Sequence, residues 1–195
     1  PANILIDTRG SVSVADFDAL SQKMATDRSR SRGETMAQGD REGGGIMREG
    51  TEDKIAVYLA GPLFSRAEME GARSLKREME AAFGDRIEVV WPFEVASGSK
   101  GEIFRANLAA LSRSPLMVAI LDGAAVDDGT AWEVGCHFAL FGRRAIGIRT
   151  DIRRAGEAPD SRVNLMIEEA CRAVVGDLGG LLRELAAALE EIKPR

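Results

Sequence analysis

Histidine is almost missing from this chain: His137 is the only one among 195 residues. That scarcity excludes metal sites built on several histidines and catalysis by a histidine pair, and on a helical stretch a lone histidine reads as a packed side chain. Cysteine is nearly as scarce. Cys136 and Cys171 stand far apart and make no metal-ligand spacing, so both are expected as buried thiols. Basic clustering is also lacking, because Arg28, Arg30 and Arg32 form the one short run and the net charge is -5. Phosphate backbones need a concentrated cationic face, which excludes a nucleic-acid surface. No apolar run approaches the ~20 residues of a membrane span. The N-terminus shows neither the charged start nor the apolar stretch of a signal peptide. A cytoplasmic, reducing location is the resulting expectation.

What is present is ordinary for a globular protein, with 45% hydrophobic and 29% charged residues, and the length suits one domain with a real core. The organisation changes near residue 53. NILI and VADFDALSQKM read as a short strand and an amphipathic helix, too little for a core of their own. The stretch RSRSRGETMAQGDREGGGIMREG that follows has no aromatic residue, few aliphatics and many glycines, and cannot bury enough surface to offset its ordering entropy. Residues 1–52 are therefore read as a flexible extension, either an appendage or sequence ahead of a start at Met36 or Met47, and residues 53–195 as the domain.

From Ile55 onward apolar strands alternate with amphipathic helices. IAVYLA (55–60) ends at Gly61-Pro62, and Ser65 opens a helix with Met69, Ala72, Leu75 and Met79 on one face. EVVW (88–91) stops at Pro92, and a helix over 102–113 follows with Ile103, Leu108 and Leu111 as its apolar positions. LMVAIL (116–121) is an uninterrupted apolar run of the kind found in the middle of a parallel sheet. A helix from DDGT to Phe141, the strand AIGI (145–148), a short helix near 163–171, an edge strand AVV (173–175) and the closing helix LGGLLRELAAALEEI complete the pattern. Such repetition predicts an α/β fold: a doubly wound, flavodoxin-like parallel sheet of about five strands.

Ligands of open α/β sheets sit beyond the carboxyl ends of the strands. AGPLF, LDGAAVDDGTAWE and RTDIRR fall there. Within the second, Thr130-Ala-Trp-Glu133 fits a capping box, so Glu133 has two readings. It either closes the helix start or faces the pocket as a reacting carboxylate, held ionised by the helix dipole.

YLAGPLF at 58–64, LDG at 121–123, DDGTAWEVG at 127–135 and VNLM at 163–166, in that order, resemble the nucleoside 2-deoxyribosyltransferase family. The resemblance spans about residues 54–175 and implies transfer of 2-deoxyribose between nucleobases, without metal or redox cofactor. It implies that Glu133 is the nucleophile toward the anomeric carbon, that Tyr58 holds its carboxylate, and that Asp127, the third catalytic residue, stands near sugar and base, where a part-buried carboxyl is expected to supply the proton or hydrogen bond that the departing base needs. It further assigns Gly61, Pro62, Phe64, Asn107, Asp122, Gly129, Asn164 and Met166 to substrate binding. Asn164 comes from a neighbouring subunit of a homo-oligomer on that analogy, although its place before LMIEEA also suits a helix N-cap. The partners implied are a deoxynucleoside and a free nucleobase. The chemistry is consistent: cleavage of an N-glycosidic bond builds positive charge on the sugar, which an anion beneath C1′ stabilises and then traps.

At position 107 the better-known members carry an aspartate, and an amide cannot be a general acid. Trp91 and Trp132 are candidates to stack on a base or to pack the core. Phe64 is a pocket candidate, and Phe138 and Phe141 are expected to pack their helix. Two other functions stay open: a 2′-deoxynucleoside 5′-monophosphate hydrolase of the same fold, and a silent nucleotide-binding domain in which Glu133 only caps. Deleting residues 1–50 is expected to leave a folded, active protein that unfolds cooperatively. Thermal denaturation followed by circular dichroism checks this, and a broad melt of the truncated chain counts against it.

Overall fold

The computed structural model describes residues 54–142 and 144–192. The expected strand at NILI, the helix at VADFDALSQKM and the glycine-rich stretch lie outside these described residues. Five strands form one parallel sheet: β1 (Ile55–Ala60), β2 (Ile87–Val90), β3 (Leu116–Ile120), β4 (Ala145–Ile148) and β5 (Cys171–Val175), in the order β2-β1-β3-β4-β5. β3 is the middle strand and is almost wholly buried, as its unbroken apolar run requires. The order reverses between β1 and β3, which opens a crevice at their carboxyl ends.

Among the described residues, six α-helices connect and cover the sheet: α1 (Arg66–Phe83), α2 (Pro92–Val95), α3 (Lys100–Arg113), α4 (Asp128–Phe141), α5 (Leu165–Ala170) and α6 (Leu178–Ile192). Strand side chains alternate between faces, and the two resulting cores are distinct. Val57, Leu59, Val118 and Ile146 pack against Ala72, Leu75 and Met79 of α1 and Leu181, Leu185 and Leu189 of α6. Tyr58, Ala60, Met117 and Ala119 pack against Ala110 and Leu111 of α3, Val134 of α4 and Ile167 of α5. Both α1 and α3 start with complete capping boxes, Ser65 with Glu68 and Ser99 with Glu102.

Some local expectations need correction. Ile103 is exposed while Ala110 is buried beside Leu111, because the smaller side chain lets α3 lie close to the sheet. Trp91 belongs to the α1 face, with its ring 5.0 Å from that of Phe93 and the Arg73 guanidinium 5.7 Å above it. Cys171 is buried, whereas Cys136 is only half-buried. Phe138 is exposed, and Phe141 lies against the ring of His137 at 4.9 Å.

His137 itself is fully buried on α4, with Nε2 donating to the Ser114 carbonyl at 3.2 Å. Burial pushes its pKa down from 6.5 to about 4, the Ser114 hydrogen bond opposes this, and the charge of Arg144 adds to it. The unfolded chain therefore takes up this proton first, so the associated stability is complete above pH 6.5 and is lost as pH falls toward about 4. Urea denaturation of wild type and His137→Met across this window is expected to show the wild type losing up to roughly 3 kcal/mol relative to the variant. Parallel pH profiles for the two proteins would contradict a buried neutral imidazole.

Candidate active site

Tyr58 lies in the middle of β1, and strand alternation turns it toward α4 rather than α1. Its hydroxyl donates to Glu133 Oε1 at 2.7 Å, joining β1 to α4 across 75 residues of sequence. Tyr58 is fully buried. Its pKa is driven far above the ordinary phenol value, first by desolvation and then by the charge and hydrogen bond of Glu133. The phenol therefore stays protonated and can only donate to the carboxylate.

The start of α4 differs from expectation. Asp127, not Thr130, is the N-cap: its Oδ2 accepts from the Thr130 backbone N–H at 2.8 Å and from Thr130 Oγ1 at 2.9 Å. Thr130 is buried inside the first turn. Glu133 consequently falls in the second turn, makes no capping box, and is free to meet Tyr58. Distance from the helix end also weakens the dipole's hold on its charge. Its pKa is raised, not lowered: desolvation is the largest cause, the Tyr58 hydrogen bond opposes it, and the negative charge of Asp127 adds to it. A carboxylate so placed is a poorly solvated anion, which is a more reactive state than a surface glutamate.

Gly129 shapes the cap. A Cβ there would lie 3.2 Å from Asp127 Oδ2, so any larger residue crowds the carboxylate. At the end of β1, a Cβ on Gly61 would meet Ile120 Cβ at 3.0 Å, which keeps the backbone turn close to β3. Asn107, on α3, has a buried Oδ1 with no hydrogen-bond partner among the described residues. Trp132, beside Glu133, is half exposed and lies 5.9 Å from the ring of Phe104.

Other expected site residues stand elsewhere. Asp122 accepts from the Thr150 and Asp151 backbone N–H groups at 2.6 and 2.8 Å and from Thr150 Oγ1 at 2.8 Å, locking the end of β3 to that of β4. With Pro62, it lines a separate groove of about 480 Å³ along α1, together with Leu75, Ile120 and Ile148. Phe64 projects into solvent at 82% exposure and is not among the residues lining that groove. Asn164 caps α5 through Oδ1, which accepts from the Met166 N–H at 3.0 Å, while its amide donates to Glu157. Asn164 and Met166 both face outward.

Two residues near these elements were given no site role by the sequence reading. Cys136, one turn after Glu133, feels its charge, and burial followed by that charge pushes the thiol pKa up. The i, i+3 spacing signals this once Glu133 is chosen. Arg149 is buried, with its guanidinium donating to the carbonyls of Leu121, Gly123 and Arg153. Among the described residues, no group of His, Cys, Asp and Glu could hold a metal ion. No helix of the described residues is long and apolar enough to cross a membrane.

The Tyr58 bond is the one influence that lowers the Glu133 pKa. Tyr58→Phe should therefore move the Glu133 carboxyl titration to higher pH, as read by carboxyl carbon NMR. An unchanged or lower titration midpoint would show that the hydroxyl does not stabilise the anion.

Similar folds are known. A conserved protein from Enterococcus faecalis V583 superposes with a TM-score of 0.59 at 25% identity, covering 69% of this chain and 98% of that one. The 2-deoxyribosyltransferase from the psychrotolerant bacterium Bacillus psychrosaccharolyticus has a TM-score of 0.55 at 22% identity, covering 69% and 95%. The 2-desoxiribosyltransferase from Leishmania mexicana has a TM-score of 0.54 at 19% identity, covering 71% and 99%. No curated protein sequence matches the chain significantly. The family model for nucleoside 2-deoxyribosyltransferase matches residues 57–166, a span that holds both Tyr58 and Glu133. This chain belongs to the nucleoside 2-deoxyribosyltransferase family.

Proposed function

We propose that the protein transfers 2-deoxyribose from a deoxynucleoside to a second nucleobase through a covalent deoxyribosyl-Glu133 intermediate. The observation that carries this reading is the 2.7 Å bond from the Tyr58 hydroxyl on β1 to Glu133 Oε1 in the second turn of α4. In the first step a Glu133 oxygen attacks C1′, the glycosidic C–N bond breaks, and its electron pair leaves with the base nitrogen, which takes up a proton, balanced by the one the incoming base nitrogen gives up in the second step. Tyr58 keeps the carboxylate oriented and lowers the cost of its charge before attack. Attack of a second base nitrogen on C1′ from the opposite face then releases the carboxylate and completes the exchange. Asp127, whose Oδ2 is committed to the α4 cap, borders the sugar and base.

Asn164 and Met166 are assigned to the site of a neighbouring subunit in a homo-oligomer. Their outward placement, with Leu165 and Met166 leaving apolar surface at 54% and 76% exposure, supports that assignment. An aspartate at 127 repels a 5′-phosphate and tolerates a neutral 5′-hydroxyl, so the nucleoside is favoured over its monophosphate.

The test is a mixture of 2′-deoxynucleosides and free bases, with exchanged nucleosides separated by chromatography. Wild type should form new nucleosides and show an intact-mass increase of one deoxyribosyl unit. Glu133→Gln should remain folded and lose roughly 1,000-fold or more in turnover, together with the adduct. Because the attacking form is the anion and the pKa of Glu133 is raised, the rate should fall on the acid side at a pH above the ordinary glutamate range. Near-normal turnover by Glu133→Gln would overturn the covalent route. A kcat/KM for a deoxynucleoside monophosphate equal to or above that for the nucleoside would favour the hydrolase instead.

A further inference from the structure

The segment RTDIRR follows β4 at the carboxyl edge of the sheet, and its first residue carries a charge into the interior: Arg149 is 3% exposed. Burying a guanidinium is costly unless its donors are met. Its acceptors among the described residues are main-chain carbonyls. Nη1 donates to Leu121, Nη2 to Gly123 and Arg153 at 2.9 Å each, and Nε to Arg153 at 3.3 Å. The two neighbouring acids are engaged with other groups. Asp122 accepts from the Thr150 and Asp151 N–H groups, while Asp151 accepts from the Gly123 N–H at 3.2 Å and pairs with Arg153. Gly123 is therefore held by both its N–H and its carbonyl. Its φ of 124° turns the chain, and a Cβ there would lie 2.8 Å from the Ala125 carbonyl oxygen.

Shape explains the choice of residue. A planar guanidinium fork reaches carbonyls on the β3 and β4 loops at once, which a compact ammonium does not. Three residues, Ala124 to Val126, separate the held turn from Asp127, a reach of at most about 14 Å even when extended. Asp127 in turn caps α4 through Thr130, and its charge acts on Glu133. Further along, α4 is anchored by the burial of Val134 and His137.

We infer that Arg149 is a positioning residue for the Glu133 site, acting through the Gly123 turn to fix where Asp127 stands. Its bearing on turnover rests on the transfer reading given above. Without the fork, the carbonyls of Leu121, Gly123 and Arg153 must find water, the turn moves, and Asp127 moves with it, while Glu133 stays on the anchored part of the helix. A more distant Asp127 and added water both ease the charge on Glu133, so its pKa falls. This sign is opposite to that expected for loss of the Tyr58 hydroxyl.

The experiment compares wild type with Arg149→Met, which keeps the bulk, and Arg149→Lys, which keeps the charge without the fork. Met79→Ala, in the core on the α1 face, serves as a control that lowers stability far from this turn. Carboxyl carbon NMR should show the Glu133 midpoint lower by roughly half a pH unit or more in both Arg149 variants and unmoved in the control. In sugar exchange, kcat should fall about tenfold or more with a smaller change in KM. Circular dichroism checks folding, and Arg149→Lys decides alone if Arg149→Met is unfolded. A Glu133 midpoint that is unmoved or higher in a folded variant overturns the inference, as does wild-type behaviour of Arg149→Lys. Loss of folding in both assigns Arg149 to stability alone and overturns it too. The titration needs no turnover, which separates the two claims. A wild type that exchanges no sugar removes the transferase reading and leaves the positioning of Asp127 to the titration, whereas exchange with an unmoved midpoint does the reverse.

Discussion

The hydrogen bond from Tyr58 to Glu133 is the contact on which the placement of β1, β3 and α4 converges. It requires that Tyr58 sit at an even position of β1, that β1 pair with β3, and that α4 return over that same face. A slip of one residue in β1 would send the phenol to the α1 core and leave the carboxylate without its donor. The parallel sheet thus does more than support the site. It sets the parity that brings a phenol and a carboxylate together from opposite ends of the domain's central stretch.

Around that bond the loops at the carboxyl edge are held by backbone satisfaction more than by ion pairing. Asp122 accepts from two main-chain N–H groups after β4, and Arg149 donates to carbonyls on both the β3 and β4 loops. Asp127 does the same for α4, where its carboxylate closes the first turn. These contacts fix the frame while Glu133 is left with a single side-chain partner, poorly solvated and close to a second acid. Rigid surroundings and one strong donor thus hold a poorly solvated carboxylate in a fixed orientation.

The fold was readable because its strands are short apolar runs bounded by glycine or proline, and because helix and strand periods alternate without ambiguity. IAVYLA, AIGI and the closing helix fall where the pattern put them, while β2 lies one residue earlier, at Ile87–Val90, β3 ends at Ile120 and β5 begins earlier, at Cys171. The cap of α4 was not readable, since Asp127 and Thr130 are both good N-caps and only the extended backbone at Asp127, with ψ of 136°, selects between them. Trp91 needed the register: Tyr58 pairs with Val90, which puts Val90 on the Tyr58 face and Trp91 on the other. Asp122 illustrates a third obstacle. Its partners, Thr150 and Asp151, come from a neighbouring strand's loop, and nothing local to LDG announces them. Glu133 and Tyr58 were legible through motif order, but the direction of the Glu133 pKa shift was not, because it is set by burial.

Helix α4 carries two titrating groups one turn apart, Glu133 and His137, and burial pushes both toward their uncharged forms. Folding therefore tends to bind a proton at the acid and shed one from the base. The two exchanges have opposite signs in the mildly acidic range, so the net uptake or release of protons is smaller than either alone. Helix α4 can thus hold a reluctant anion near its N-terminal end while its own two groups partly offset each other's proton exchange.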